Sequence, residues 1–314
     1  MKIKAFAKIN LFLDVLNKRR DGYHNINSLL TTISLFDIIT LTSRPKDISV
    51  SIPQSCRFPG LPWEFSMGRD ADNLITRAVR LLKKHTGCDK GAAISLVKRI
   101  PIGAGLGGGS ADAAAVLTGL NRLWKTGLTG QQLEELSAQI GCDVPALVHG
   151  GTVRMEGRGE IITPLKPELK KELWGLLIYP GFAISTTDVY HRLDRHPDRT
   201  GRSFPAAIDR KFRLILSGLE TGNRTDIAGG LFNAFQKTVF EKYPFLEMIK
   251  NYLEKLGAKH VLLTGSGSTV FVLLKDRKEG LTMAEELGRR IGSPLWTKVF
   301  HAIGMTKRDK TICA

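Results

Sequence analysis

The sequence predicts an α/β (α+β) protein with two domains, and three observations carry that prediction. A glycine-dense turn over residues 103–109 stands between an apolar run at 92–97 and an alanine-rich helical segment opening at Ser110. A second turn, Gly265-Ser266-Gly267-Ser268, also stands between apolar runs. Around both, strand-length runs alternate with segments whose apolar residues recur at spacings of three and four, the pattern of a mixed sheet-and-helix fold. At 314 residues the chain is long enough for two domains or one large α/β unit.

Residues 4–16 and 31–42 read as strands around a turn at Asp21-Gly22-Tyr23-His24. Residues 48–67 are turn-rich through Pro53, Pro59, Gly60 and Pro62, with Trp63-Glu64-Phe65 as a short edge strand. Over 73–86, Leu74, Ile75, Ala78, Leu81 and Leu82 form one helical face, and 92–97 is a strand leading into the glycine turn. The helix opening at Ser110 runs to about Trp124, and Thr129 caps the next helix through Ile140. Gly141-Cys142-Asp143-Val144-Pro145 ends that helix, and Pro145 biases Val144 away from helical geometry, which fixes the backbone around Asp143. A strand follows Gly150-Gly151, and Gly157-Arg158-Gly159-Glu160 is a tight turn. In the second half, 173–180 reads as a buried strand and 186–193 as a helix, whereas 196–203 is polar and turn-like. Residues 212–219, 231–240, 245–256 and 281–291 read as helical, and 260–264, 269–274 and 297–303 as strands. No internal repeat is visible.

Composition narrows the function classes. With 42% hydrophobic residues and no membrane-length apolar span, a soluble protein is expected. The first residues enter a strand pattern without a signal-peptide core, which makes cytoplasmic residence the expectation. Cys56, Cys88, Cys142 and Cys313 are scattered and form no Cys-x-x-Cys pair, against a zinc knot or a disulfide framework. The net charge of +16 invites nucleic acid, but the basic residues are dispersed, with no basic helix and no RNA-binding aromatic signature. The expected partner is an anionic small molecule, with no nucleic acid and no membrane.

The chemistry concentrates in Pro101-Ile102-Gly103-Ala104-Gly105-Leu106-Gly107-Gly108-Gly109-Ser110. Five glycines in the seven residues from Gly103 to Gly109 let the backbone approach a ligand closely, and a helix opens behind them. Backbone N–H groups at such a helix start form a phosphate site; a purely structural glycine turn is the alternative. A Walker A loop is excluded, because no Lys follows Gly109. A dinucleotide fingerprint fits poorly, since no acidic residue ends a following strand near position 120. Ser110 is expected to cap the helix, and Asp112 to cap it or to hold a nucleotide-borne metal. The turn at Gly265 and Ser266 reads either as a hairpin or as a second set of backbone donors near phosphates.

Three separated motifs resemble the GHMP kinase superfamily. They are Ala5-Phe6-Ala7-Lys8-Ile9-Asn10-Leu11 with Asp21-Gly22-Tyr23-His24, the glycine loop from Pro101 to Ser110, and Leu263-Thr264-Gly265-Ser266-Gly267-Ser268. With Gly141-Cys142-Asp143-Val144-Pro145, they resemble the branch that phosphorylates a cytidine diphosphate alcohol, 4-diphosphocytidyl-2-C-methyl-D-erythritol, at its C2 hydroxyl. The implied fold is a two-domain GHMP kinase fold, with a ribosomal-protein-S5-like N-terminal domain (1–160) and a ferredoxin-like C-terminal domain (161–306), followed by a basic tail (307–314). The resemblance implies ATP and Mg2+ as cofactors and a monomer or weak homodimer. It assigns Asp143 as base and Lys8 as its catalytic cation. Pro101, Gly103, Gly105, Leu106, Gly107, Gly108, Gly109 and Ser110 would bind ATP. Asn10, Tyr23, His24, Tyr190, Gly265 and Ser266 would bind the substrate, with the cytosine held between the Tyr23 and Tyr190 rings. Kinases of mevalonate, its phosphate or homoserine share the superfamily, and a noncatalytic nucleotide or RNA binder is the reading from another class. One departure stands out: relatives often carry an Asn-Asp-Leu-Glu-like segment where this chain has Asn233-Ala234-Phe235-Gln236, losing both acids. Altered packing or interdomain contacts are expected there.

Overall fold

The computed structural model describes residues 1–66, 73–165, 172–196 and 205–304. The expected turn at 196–203 lies outside these from 197 onward, as do the basic tail and Cys313. Strands β1 (Lys2–Lys18) and β2 (His24–Arg44) form a long antiparallel hairpin, the spine of a seven-stranded sheet. Its main path runs β10 (Phe232–Asn233), β1, β2, β6 (Gly91–Val97), β3 (Ile48–Ser51), while β7 (Thr152–Glu156) pairs with β2 and with β8 (Ile161–Pro164). A four-stranded antiparallel sheet has the order β11 (Leu262–Leu263), β12 (Val270–Leu274), β9 (Trp174–Tyr179), β13 (Trp296–His301). The expected strand at Trp63-Glu64-Phe65 is shifted by one residue, to β5 (Glu64–Ser66), paired with β4 (Ser55–Arg57).

The helices start and stop where local chemistry directs. In α1 (Leu74–Thr86), the Asn73 side chain accepts from Ile75 N–H, and Gly87 closes the helix in the left-handed region. In α3 (Gly130–Ser137), Thr129 and Gln132 form a reciprocal capping box. Between them α2 (Gly108–Trp124) is buried almost all round, from Ala111 to Leu117 without a break. Its alanines allow close approach to the sheet, and a Cβ on Gly119 would lie 2.3 Å from Ile3 Cδ1 and 2.5 Å from Leu41 Cδ1.

Two expectations fail here. The helix capped by Thr129 does end before Gly141, already at Ser137, but Val144 is not held away from helical geometry. Pro145 lies in the first turn of α4 (Val144–His149), where a missing N–H costs nothing, and Val144 is helical. Residues 231–240 are not one helix: Phe232–Asn233 pairs in parallel with Phe12 and Leu13 of β1, and α8 (Gln236–Lys242) follows. The remaining helices are α5 (Thr186–Arg195), α6 (Pro205–Thr221), α7 (Arg224–Gly230), α9 (Pro244–Lys255) and α10 (Arg277–Arg290). Among the described residues no helix is long and apolar enough to cross a membrane.

The two sheets are joined by one core. On β9, Leu177 and Tyr179 pack with the residues around α2, whereas the alternate residues Leu176 and Ile178 pack with Leu246, Ile249, Met283 and Leu287 of α9 and α10. Polar clasps add to this: Tyr179 Oη donates to Ile102 O at 3.1 Å, Trp63 Nε1 to Gly181 O at 3.0 Å and Ile303 N to Thr32 O at 2.9 Å. The glycine loop is thereby fixed against the second sheet. Gly119→Val should therefore overpack the α2–sheet contact and lower stability by about 1–3 kcal/mol, read as a lower urea midpoint with an unchanged slope.

Candidate active site

Alternation along β1 creates the first part of the site. Ala7, Ile9 and Leu11 are fully buried in the core, while Lys8 and Asn10 project from the other face. The Lys8 ammonium donates to Asn10 Oδ1 at 2.7 Å and lies 3.6 Å from Asp143 Oδ2. Asn10 Nδ2 donates to Ser28 Oγ at 2.9 Å, and Ser28 Oγ donates to Phe12 O at 2.7 Å. This relay fixes which way the Asn10 amide points and so where the ammonium rests. Asp143, the N-cap residue of α4, keeps its side chain about one-third exposed.

The two glycine turns meet backbone to backbone. A Cβ on Gly105, at φ +74°, would lie 2.3 Å from Thr264 O and 2.9 Å from Gly267 O. Thr269 N donates to Ala104 O at 3.2 Å, Lys8 N to Leu106 O at 3.0 Å, and Asn10 N to Thr264 Oγ1 at 3.2 Å. The 265–268 turn is held from behind as well. Asn233 Nδ2 donates to Leu263 O at 2.7 Å and to Gly265 O at 2.9 Å, and Gln236 Oε1 accepts Leu263 N–H at 2.8 Å. The segment that lost two acids thus retains hydrogen-bonding side chains at both ends, and Ala234 and Phe235 add to the apolar core there.

Ser110 does not cap α2. Gly107 is the N-cap at φ +69°, with no side-chain hydrogen bond, so the helix opens two residues earlier than expected. The N–H groups of its first turn have no partner within the helix. Asp112 is neither cap nor open metal ligand: it accepts from the buried Lys98 ammonium at 2.7 Å.

Lys8, Asn10, Tyr23, His24, Gly103, Gly105, Gly107, Asp143, Tyr190, Gly265 and Ser266 all line one cleft of about 660 Å³. Pro101 and Leu106 are instead buried beneath the loop. At the mouth, Tyr190 stacks on His24 with centroids 4.8 Å apart and planes at 16°, and Phe235 meets Tyr190 edge-on. His24 Nε2 lies 2.8 Å from Asp194 Oδ1, which ties α5 to the β1–β2 hairpin. Tyr23 is half exposed, with the Arg158 guanidinium 5.1 Å from its ring centroid. The two tyrosines share the cleft, each ring already facing another side chain.

Comparisons with known proteins give the family. The description "GHMP kinases N terminal domain" fits residues 73–151, and "GHMP kinases C terminal" fits residues 215–292. A 4-diphosphocytidyl-2-C-methyl-D-erythritol kinase of Geobacillus kaustophilus (strain HTA426) is 41% identical over 279 residues, 88% of each chain. One from Gloeobacter violaceus (strain ATCC 29082 / PCC 7421) is 38% identical over 296 residues, 94% of this chain and 93% of the relative. The chain belongs to the 4-diphosphocytidyl-2-C-methyl-D-erythritol kinase family. A crystal structure of a 4-(cytidine 5'-diphospho)-2C-methyl-D-erythritol kinase superposes with a TM-score of 0.75 at 30% identity, covering 97% of this chain and all of that one. A homoserine kinase from Cytophaga hutchinsonii shares the fold, with a TM-score of 0.72 at 16% identity over 97% of this chain and 94% of its own.

Sequence reasoning about this kinase missed several residues that line the cleft: Lys18, Arg158, Thr186 and Phe235. Arg158 was visible only as part of a glycine turn. Thr186 Oγ1, 2.9 Å from Ser266 Oγ, belongs to a helix eighty residues away in sequence. Cys142 also lines the cleft, and burial, reinforced by the Asp143 charge, pushes its thiol up. Gly105→Ala should leave a folded protein with at least about hundredfold lower activity, because its Cβ must part the two loops. Ser28→Ala, which frees the Asn10 amide, should lower kcat about tenfold with KM for ATP changed by less than about twofold, measured in steady-state kinetics.

Proposed function

We propose that Lys8 and Asp143 carry the transfer of the ATP γ-phosphoryl group to the C2 hydroxyl of 4-diphosphocytidyl-2-C-methyl-D-erythritol. The products are ADP and the 2-phosphate, a step of the non-mevalonate isoprenoid precursor pathway. The observation that carries this assignment is the Lys8 ammonium 3.6 Å from Asp143 Oδ2, in the same cleft as both glycine turns.

In this reading Asp143 accepts the C2 hydroxyl proton as the oxygen attacks the γ-phosphorus, and the bond to the β-γ bridging oxygen breaks to release ADP. Lys8, anchored on Asn10 rather than closed onto Asp143, leaves a carboxylate oxygen for that hydroxyl and places a positive charge beside the reacting oxygens. The first-turn N–H groups of α2 and the 103–109 loop receive phosphate oxygens. Gly265 and Ser266 face the same cleft from the second turn. At the mouth, Tyr23, His24 and Tyr190 select a cytidine by ring contact and by hydrogen bonds to its edge.

Among the described residues no three His, Cys, Asp or Glu side chains gather into a metal-holding group, and Asp112 is engaged by Lys98. We read magnesium as arriving on the triphosphate.

The test is transfer from ATP to the cytidine alcohol, with the product identified by mass and phosphorus NMR. One added phosphate at C2 is expected, with kcat lowered at least about thousandfold in Asp143→Asn and in Lys8→Met, both still binding ATP. Transfer that persists in Asp143→Asn would remove Asp143 as base. A folded, ATP-binding protein that phosphorylates mevalonate or homoserine instead would reassign the acceptor.

A further inference from the structure

Beneath the phosphate loop lies a buried ion cluster that the transfer chemistry does not use. Lys98 Nζ donates to Asp37 Oδ2 at 2.6 Å and to Asp112 Oδ2 at 2.7 Å. The three side chains are between 0% and 4% exposed. They come from three elements: Asp37 from β2, Lys98 from the residue after β6, and Asp112 from the start of α2. Asp37 Oδ1 also accepts the backbone N–H groups of Arg99 and Ile100. Three donors from residues 98–100 thus converge on one carboxylate, immediately before the loop opens at Pro101. The same ammonium reaches across to α2, where the loop ends. A Cβ on Gly108 would lie 3.0 Å from Lys98 Nζ, so the ammonium lies against the first residue of the helix.

We propose that Lys98, Asp37 and Asp112 act together as the positioning group of the phosphate loop, holding its two ends at a fixed separation beneath the bound triphosphate. This rests on the reading of residues 101–110 as the ATP phosphate site. None of the three residues lines the cleft, so they act through the loop and not by touching substrate.

The charge count gives the group a signature. Two carboxylates face one ammonium, and burying the surplus negative charge is unfavourable. Asp37 accepts three donors from residues 98–100, whereas Asp112 accepts from Lys98. Burial and the Asp37 charge push the Asp112 carboxyl up to about 8, against the pull of Lys98. Burial disfavours the Lys98 ammonium, but the two aspartates outweigh it and hold its value above that of an ordinary lysine. Among the described residues, Cys56 of β4 also faces the cluster, its thiol pushed up mainly by burial. Below about pH 8 the Asp112 carboxyl is uncharged, and above it one further negative charge appears under the phosphate site. ATP binding should weaken as that charge forms.

The experiment measures ATP affinity by titration calorimetry, and KM for ATP and for the cytidine alcohol, from pH 7 to 9.5 in wild type, Asp112→Asn and Lys98→Met. The wild-type Kd and KM for ATP should rise about three- to tenfold across this range, with KM for the alcohol steady within about twofold. Asp112→Asn, which has no proton to lose, should match wild type at pH 7 within about twofold and lose the alkaline rise. Ionisation of ATP itself is common to both proteins and cancels in the comparison. Lys98→Met should raise KM for ATP at least about tenfold at pH 7; should it not fold, Asp112→Asn decides alone. An alkaline rise identical in wild type and Asp112→Asn, or absent in wild type, overturns the proposal while leaving the ATP site intact. Folded wild type that does not bind ATP at any pH would instead overturn the reading of the loop on which the proposal stands.

Discussion

The contact on which the rest of the site depends is the backbone-to-backbone meeting of the 103–109 loop with the 264–268 turn. These segments lie on different sheets and are separated by some 160 residues, yet carbonyls of the second turn fall within 3 Å of where a side chain on Gly105 would begin. Only a chain without Cβ atoms at these points brings the two together. Once they meet, Lys8, Asn10, Asp143 and the start of α2 occupy one small volume. The shared core across β9 and the clasp from Tyr179 to Ile102 keep the loops from parting.

Electrostatics then divides the labour. Lys8 is nearly fully buried but satisfied, with Asn10 as its short partner and Asp143 as its longer one. A buried ammonium without such partners would be strongly disfavoured. Because Asn10 is itself oriented by Ser28, the cation is held without closing on the carboxylate. The 265–268 turn is held in the same economical way, by the amide side chains of Asn233 and Gln236, so the loss of two acids there does not remove its support.

What the sequence made legible was what short-range chemistry determines. The glycine turns, the helical face over 73–86, the cap at Thr129 and the strand that carries Lys8 and Asn10 follow from local rules, and the structure has each of them. The misses have a common cause. Pro145 both disfavours the residue before it and suits a first helical turn, and which effect wins depends on packing of α4 that no local pattern encodes. Phe232 and Asn233 form a strand only because β1 offers an edge more than two hundred residues away. Asp112 reads locally as a helix-start residue, while its actual partner, Lys98, comes from just past the end of β6 and is shared with Asp37 inside β2. Arg158, Asp194 and Thr186 likewise acquire meaning only when the hairpin and α5 close the cleft mouth.

A crystal structure of the chain with a non-hydrolysable ATP analogue and 4-diphosphocytidyl-2-C-methyl-D-erythritol tests this account most directly. The predicted result has the triphosphate on the first turn of α2, the C2 hydroxyl within about 3 Å of an Asp143 oxygen and the Lys8 ammonium between them. A triphosphate bound away from the 103–109 loop, or an acceptor hydroxyl out of reach of Asp143 in a closed complex, would contradict it.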